Sequence, residues 1–295
     1  MGNYLMRFLF FGMGYSSLAC ASFIRNELSK DIKITGTIRN DENASGLLEQ
    51  NIKPIIFDGE NSNHSLNEEI KQASHIIISI APNEMGDVVF NHYQQQINKA
   101  KDLKWICYFS TIGVYGNQNG ALIDESAKCE PTNLRSIERL KVEKLWCDFA
   151  EKNNVPLLIL RLAGIYGEGR SNLDKLKNGT AKRIIKQGQV FNRIHVKDIA
   201  RTTILAAQQK LSGTFNLSDD EPAPPQDVVS FAAKILGQKS PTEIAFEEAN
   251  MSKMARSFYN DNKRVCNNAI KQALDIELLY PTYRQGLNAI YRCDS

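Results

Sequence analysis

Arg7-Phe8-Leu9-Phe10-Phe11-Gly12-Met13-Gly14-Tyr15-Ser16-Ser17 is the stretch on which the reading of this chain turns. A short continuous apolar run that stops at a glycine has the form of a strand buried on both faces of a parallel sheet. A helical segment, Ser16 to Leu28, follows at once. Gly12 permits a tight turn, and Gly14 lets a pyrophosphate approach the backbone. The start of the helix offers N–H groups and the positive end of a dipole. Ser17 stands in the third place of the GxGxxG pattern and is small enough for moderately close helix–strand packing. The pattern alone is weak evidence; the strand before it and the helix after it give it meaning.

The same alternation continues outward from this turn. Ile32 to Ile38 and Pro54 to Phe57 read as strands, Leu66 to Gln72 as a short helix, and His75 to Ile80 as a β-branched strand stopped by Ala81-Pro82-Asn83. A helix from Asp87 to Lys101, a strand at Trp105 to Phe109, a helix from Leu134 to Phe149 and a strand from Val155 to Leu160 complete the series. This order predicts an α/β fold with a doubly wound parallel sheet and right-handed crossovers. Beyond Arg161 the pattern changes to a Gly-rich loop, shorter helices, one strand-like run at Thr214 to Leu217 and a cluster of Pro222, Pro224 and Pro225. We therefore expect a dinucleotide-binding domain over 1–163, with a returning segment near 190–220, and a smaller C-terminal α/β lobe over 164–295.

Composition supports a globular chain. Of 295 residues 42% are hydrophobic and 23% charged, which excludes disordered, collagenous and coiled-coil classes. Lys and Arg number 36 against 33 Asp and Glu, and a net charge of +3 is too weak to imply a nucleic-acid surface. Cys20, Cys107, Cys129, Cys147, Cys266 and Cys293 lack metal-ligand spacing and read as reduced and mostly buried, with no metal site. The apolar run near the N-terminus is too short for a secretory segment, and no stretch is long enough to cross a membrane. A soluble cytoplasmic protein with a small-molecule substrate, and neither a nucleic-acid nor a membrane partner, is the expectation.

The carboxyl edge of the sheet is where open α/β folds bind ligands. There the second strand ends in Thr37-Ile38-Arg39-Asn40, with no acid to receive adenosine ribose hydroxyls. Arg39 is suited to clamp a 2′-phosphate, which favours NADP and leaves NAD open. Tyr15 and Ser16 of the turn, with Ala81 and Pro82 after the fourth strand, join Gly12, Gly14, Ser17 and Arg39 as cofactor-binding candidates. Ser110 and Thr111 close the strand at Trp105 to Phe109, and Ser110 belongs to the same set.

Four signatures in order carry a resemblance: the glycine turn, Ser110-Thr-x-x-Val-Tyr115-Gly, Arg161-Leu-Ala-Gly-Ile-Tyr166-Gly-Glu-Gly169-Arg170, and His195-Val-Lys-Asp198-Ile-Ala. Together they resemble an extended short-chain dehydrogenase/reductase of the NAD-dependent epimerase/dehydratase family, over about residues 6 to 220. The resemblance implies a Rossmann-like fold, a Thr111 that orients the reacting hydroxyl, and a YxxxK pair on the following helix. When Glu143 is placed on the family's glutamate, Arg135 stands in the place of that tyrosine and Arg139 in the place of the lysine. The chain thus resembles the atypical branch that lacks the pair. Arginine cannot carry the proton, but Arg139 could still bond ribose or phosphate.

Other site residues stay open. Tyr115 and His195 are proton-carrier candidates beside Thr111, His195 being equally readable as a loop-bracing core histidine. Tyr166, with Tyr115, lines the nicotinamide pocket or simply packs. Asp198 reads as a helix N-cap, Lys263-Arg264 as a surface pair, and the literal YxxxK at Tyr259 and Lys263 as coincidence. Family resemblance also implies a homodimer through the helices after the fourth and fifth strands, with Val88, Val89, Phe90, Leu140, Leu145 and Phe149 compatible with that face. Two functions follow as expectations: an NAD(P)-dependent oxidoreductase acting on a small carbonyl, alcohol or sugar nucleotide, or a non-catalytic dinucleotide sensor.

Overall fold

The computed structural model describes residues 6–293. In chain order the strands are β1 (Arg7–Phe11), β2 (Lys33–Ile38), β3 (Lys53–Ile56), β4 (His75–Ile78), β5 (Trp105–Thr111), β6 (Leu122–Ile123), β7 (Leu157–Leu162), β8 (Gly164–Tyr166), β9 (Arg183–Ile185), β10 (Arg193–His195), β11 (Gly213–Leu217), β12 (Glu243–Ala245) and β13 (Arg264–Val265). Seven of them form one sheet in the order β11-β7-β5-β4-β1-β2-β3. The pairings of β2 with β3, β1 with β2, β1 with β4, and β4 with β5 are parallel. The chain steps outward from β1 to β3, then returns to β4 on the other side of β1, so the order reverses between β1 and β4. That reversal is the topological switch point where ligand crevices form.

Burial explains why these strands read as unbroken apolar runs. Phe8 and Phe10 face one side of the sheet and Leu9 and Phe11 the other, yet all are buried. On one face, Leu9, Phe11, Ile76, Ile78, Ile106, Tyr108 and Ile159 pack with Val89, Tyr93 and Ile97 of the helix Val88–Asn98. Val142, Trp146 and Phe149 of the helix Leu134–Asn153 join the same core. Phe90 is edge-on to Trp146 at 5.1 Å and to Phe149 at 5.9 Å. Val88, Val89, Phe90 and Phe149, matched above to a dimer face, therefore pack within the core of their own unit.

The chain separates into two compact units. The first runs through Thr111 and adds Leu134–Arg161 and Ile199–Phe215; the second holds Ile112–Asn133, Leu162–Asp198 and the chain from Asn216. Residues 112–133 thus lie in the second unit, and Ile199–Phe215 return to the first. Residues 112–133 carry β6, which pairs with β13 through Leu122↔Arg264 and Ile123↔Val265, and that pairing draws the segment into the second unit. Within the same unit β8 pairs with β10, and β9 with β12. Tyr166, Leu173, Val228, Tyr283, Leu287 and Ile290 form its principal core cluster.

Two smaller readings change. Lys263 is buried, because its Nζ donates to the Gly116 carbonyl at 2.6 Å with Asp261 3.7 Å away, so only Arg264 of that pair is exposed. Cys20 and Cys107 are buried, but Cys147 and Cys293 are exposed on helix surfaces, so burial is not the general state of the cysteines. Among the described residues no helix is long and apolar enough to cross a membrane.

Candidate functional site

The glycine turn lies directly after β1. Gly12 has φ +92°, and a Cβ there would stand 2.7 Å from Ser79 Oγ. Its N–H donates to Thr37 Oγ1 at 2.8 Å, while the Met13 N–H donates to the Thr37 carbonyl at 2.8 Å. The turn is thereby fixed to the end of β2. Ser17 is buried and donates to Ser79 Oγ at 3.1 Å, and Ser79 donates to the Gly12 carbonyl at 2.7 Å. A small hydroxyl thus takes the place a third glycine would have, bonding across to the end of β4.

Gly14 is the N-cap of the helix Tyr15–Phe23, with φ −91° and no side-chain cap. No acidic residue lies in the first turn of that helix. A Cβ on Gly14 would meet no atom within 4 Å. The result is an uncapped helix start with open space over the glycine, as a phosphate approaching the backbone requires. Arg39 is exposed just past β2 and makes no hydrogen bond or ion pair among the described residues. Ala81 and Pro82 follow β4 at the same edge of the sheet, and Thr111 ends β5 there. The first unit therefore gathers Gly12, Gly14, Tyr15, Ser16, Ser17, Arg39, Ala81, Pro82, Ser110, Thr111 and Arg139.

Two members of that group have structural partners. Ser110 is buried and donates to Glu143 Oε1. Glu143 is itself held by Arg161, through Nε at 3.2 Å and Nη2 at 2.7 Å. All three residues lie in the quoted signatures or the helix alignment, but no local signal marks them as partners. Arg139 donates from Nη1 to the Phe109 carbonyl and lies 5.6 Å over the Tyr108 ring.

The remaining candidates lie in the second unit. Tyr115 is buried, and its hydroxyl donates to Asn216 Oδ1 at 2.8 Å. Tyr166 and His195 are register partners on β8 and β10, so two sequence signatures meet there, with ring centroids 5.1 Å apart at 90°. Burial raises the Tyr166 phenol, and its hydroxyl lies where a Cβ on Gly286 would come within 2.1 Å. His195 is fully buried, which lowers its pKa to about 4 and keeps the ring neutral. Its Nδ1 accepts the Lys197 N–H at 3.2 Å at the start of the helix Val196–Gln209. That is the loop-bracing role. Asp198 lies in the first turn of this helix rather than capping it: its carboxylate accepts the N–H groups of Leu279 at 2.6 Å and Tyr280 at 3.1 Å. Tyr259 packs on Phe191 and Phe246, and Lys263 holds Gly116, so the literal YxxxK is a structural pair.

A cleft of about 490 Å³ opens at the amino ends of β1, β2 and β3, lined by Arg7, Lys33, Lys53 and Glu69 among others. Lys53 and Glu69 pair there at 2.6 Å. Strand polarity sets this cleft on the edge opposite the glycine turn, and none of the candidates above lines it.

Comparison with known proteins agrees with the fold. The model of the family described as "NAD dependent epimerase/dehydratase family" matches residues 95–218. Over that stretch the chain is similar to the family. UDP-glucose 4-epimerase of Halalkalibacterium halodurans is 27% identical over 172 residues, covering 49% of this chain and 52% of the epimerase. The chain thus spans about half the length of that curated relative. A solved structure of a functionally unknown conserved protein from Silicibacter pomeroyi DSS is 37% identical, covering 98% of this chain and 99% of the other, with a TM-score of 0.86. The dTDP-glucose 4,6-dehydratase of Bacillus anthracis, solved in complex with NAD, is 16% identical over 97% of this chain and 96% of its own, with a TM-score of 0.78. At that identity the likeness is one of fold.

Proposed function

We propose that the carboxyl edge of the first unit binds a nicotinamide dinucleotide, NADP(H) in preference to NAD(H), and that the chain is an oxidoreductase acting on a small carbonyl, alcohol or sugar-nucleotide substrate. The observation that carries this reading is the open, uncapped helix start at Gly14, with Arg39 exposed just past β2 at the same edge of the sheet and unpaired among the described residues. Gly12, Gly14, Tyr15 and Ser16 would surround the pyrophosphate, Arg39 the 2′-phosphate, and Ala81 and Pro82 the path between them. When bound, the cofactor supplies hydride exchange at nicotinamide C4. Thr111, at the end of β5, orients the reacting hydroxyl in this reading.

A second reading, a non-catalytic dinucleotide sensor, has its own support. Arg135 and Arg139 stand where the family resemblance sets the tyrosine and lysine, and arginine stays protonated. Tyr115 is bonded to Asn216, and His195 is buried and neutral. A dinucleotide titration followed by NADPH oxidation over a panel of carbonyl compounds separates the two. Substrate-dependent oxidation supports the enzyme, tight binding without turnover supports the sensor, and failure to bind either dinucleotide rejects both.

A further inference from the structure

The Arg139 guanidinium is a half-buried cation with an incomplete set of partners. It lies on the helix Leu134–Asn153, and Nη1 donates to the carbonyl of Phe109, two positions before the end of β5. It also meets Tyr108, lying 5.6 Å over the ring and acting on the phenol through its charge and a side-chain hydrogen bond. No ion pair joins it to a carboxylate among the described residues. The candidates for that role are already engaged. Glu143, one helical turn on, is taken by Arg161 and Ser110. Asp87, which feels the charge of Arg139, accepts the Phe90 N–H at 2.9 Å and Trp146 Nε1 at 3.1 Å.

A guanidinium has five N–H donors in a planar fork, and withdrawing it from water is costly unless those donors are met. One carbonyl and the Tyr108 side chain meet only part of the fork. The fork matches the oxygens of a carboxylate or a phosphate monoester. We infer that Arg139 binds an oxyanion of the substrate at the carboxyl end of β5, so that the substrate is an anionic carbonyl or alcohol compound rather than a neutral one. Arg135, exposed one turn earlier on the same helix, adds a second cation to that approach. The inference rests on the reading of this edge as a dinucleotide and substrate site.

The test uses the full chain and two probe anions, oxamate for carboxylate and inorganic phosphate for phosphate monoester. Each is titrated calorimetrically with and without saturating NADP. The expected result is that at least one anion binds with the dinucleotide present, and that Arg139→Met weakens it by about tenfold or more while Arg139→Lys weakens it less. Phenylglyoxal labelling of the unaltered chain, read residue by residue by mass spectrometry, needs no variant: the bound anion should protect Arg139. Three results overturn the inference: neither anion binds; the anion binds the Met variant equally and leaves Arg139 unprotected, which means an adventitious ion only; or NADP displaces the anion, which makes Arg139 a cofactor contact. If no dinucleotide binds, the reading of the glycine turn fails, and titration of the chain alone still decides the role of Arg139.

Discussion

Glu143 and Arg161 form a buried ion pair, Nη2 to Oε2 2.7 Å, with the Glu143 and Arg161 side chains only 4% and 9% exposed. The pair joins the helix Leu134–Asn153 to β7, and through Ser110 to β5. Glu143→Ala leaves the guanidinium buried without its counter-ion. The expected loss is about 3–5 kcal/mol in urea denaturation. Replacing both partners with apolar residues of similar volume should recover much of it; a loss below about 1 kcal/mol in the single variant would mean that water reaches the site.

Gly14→Val should abolish dinucleotide binding while the chain keeps its fold. The glycine has φ −91°, within reach of any residue, and its Cβ would meet nothing within 4 Å, so the substitution leaves the fold alone and would obstruct the pyrophosphate of the proposed dinucleotide. Circular dichroism and a dinucleotide titration check the two halves separately. Affinity unchanged from the parent chain would remove the cofactor from this turn.

Cofactor choice is read at Arg39. Its guanidinium is exposed and without a protein partner among the described residues, so truncation removes no structural bond. Arg39→Ala should weaken NADP more than NAD by about 1.5–3 kcal/mol, the value of a charge-assisted bond to the 2′-phosphate. Equal losses for both dinucleotides would show that Arg39 does not read the phosphate.

The pH dependence has a defined sign at His195. Burial lowers its pKa from 6.5 to about 4, so between those values the unfolded chain binds the extra proton. Stability from this residue is complete above pH 6.5 and is lost as the pH falls toward 4. His195→Gln cannot titrate, so the difference between parent and variant should shrink by up to about 3 kcal/mol across that window. Parallel stability curves from neutral pH to pH 4 would mean that the ring is already hydrated in the folded chain.

The alternating strands and helices are legible in the sequence because each parallel strand is covered on both faces and therefore announces itself as an apolar run. The turn at Gly12 to Ser17 is legible for a similar reason: its chemistry is local. Long-range partners are not. Nothing in the spacing of Ser110, Glu143 and Arg161 states that they meet, since tertiary packing alone brings them together. Asp198 has the local form of an N-cap, yet its oxygens serve the backbone of Leu279 and Tyr280, some eighty positions away. Likewise the stripe of Val88, Val89 and Phe149 is visible in the sequence, but periodicity does not say what covers it.

Arg135, in the place that the family resemblance gives to the catalytic tyrosine, sets an expectation for rate. With Arg135 and Arg139 on the helix after β5, tyrosine-dependent proton transfer has no carrier there, because arginine stays protonated across the accessible range. The other proton-carrier candidates in the sequence are committed elsewhere, Tyr115 to Asn216 and His195 to the start of its helix. The chain should therefore oxidise ordinary alcohols or sugar nucleotides slowly even with dinucleotide bound. Restoring the pair as Arg135→Tyr with Arg139→Lys should raise the rate only where Thr111 already positions the substrate, since a general acid or base contributes about 10² to 10⁴-fold when placed. Stopped-flow and steady-state assays on both proteins measure this. Turnover of a sugar nucleotide by the unaltered chain near 1 s⁻¹ or faster, an ordinary enzyme rate of roughly that order, would require another base. Tyr115→Phe and His195→Gln would then be compared, and the substitution that leaves the rate untouched clears that residue of the role.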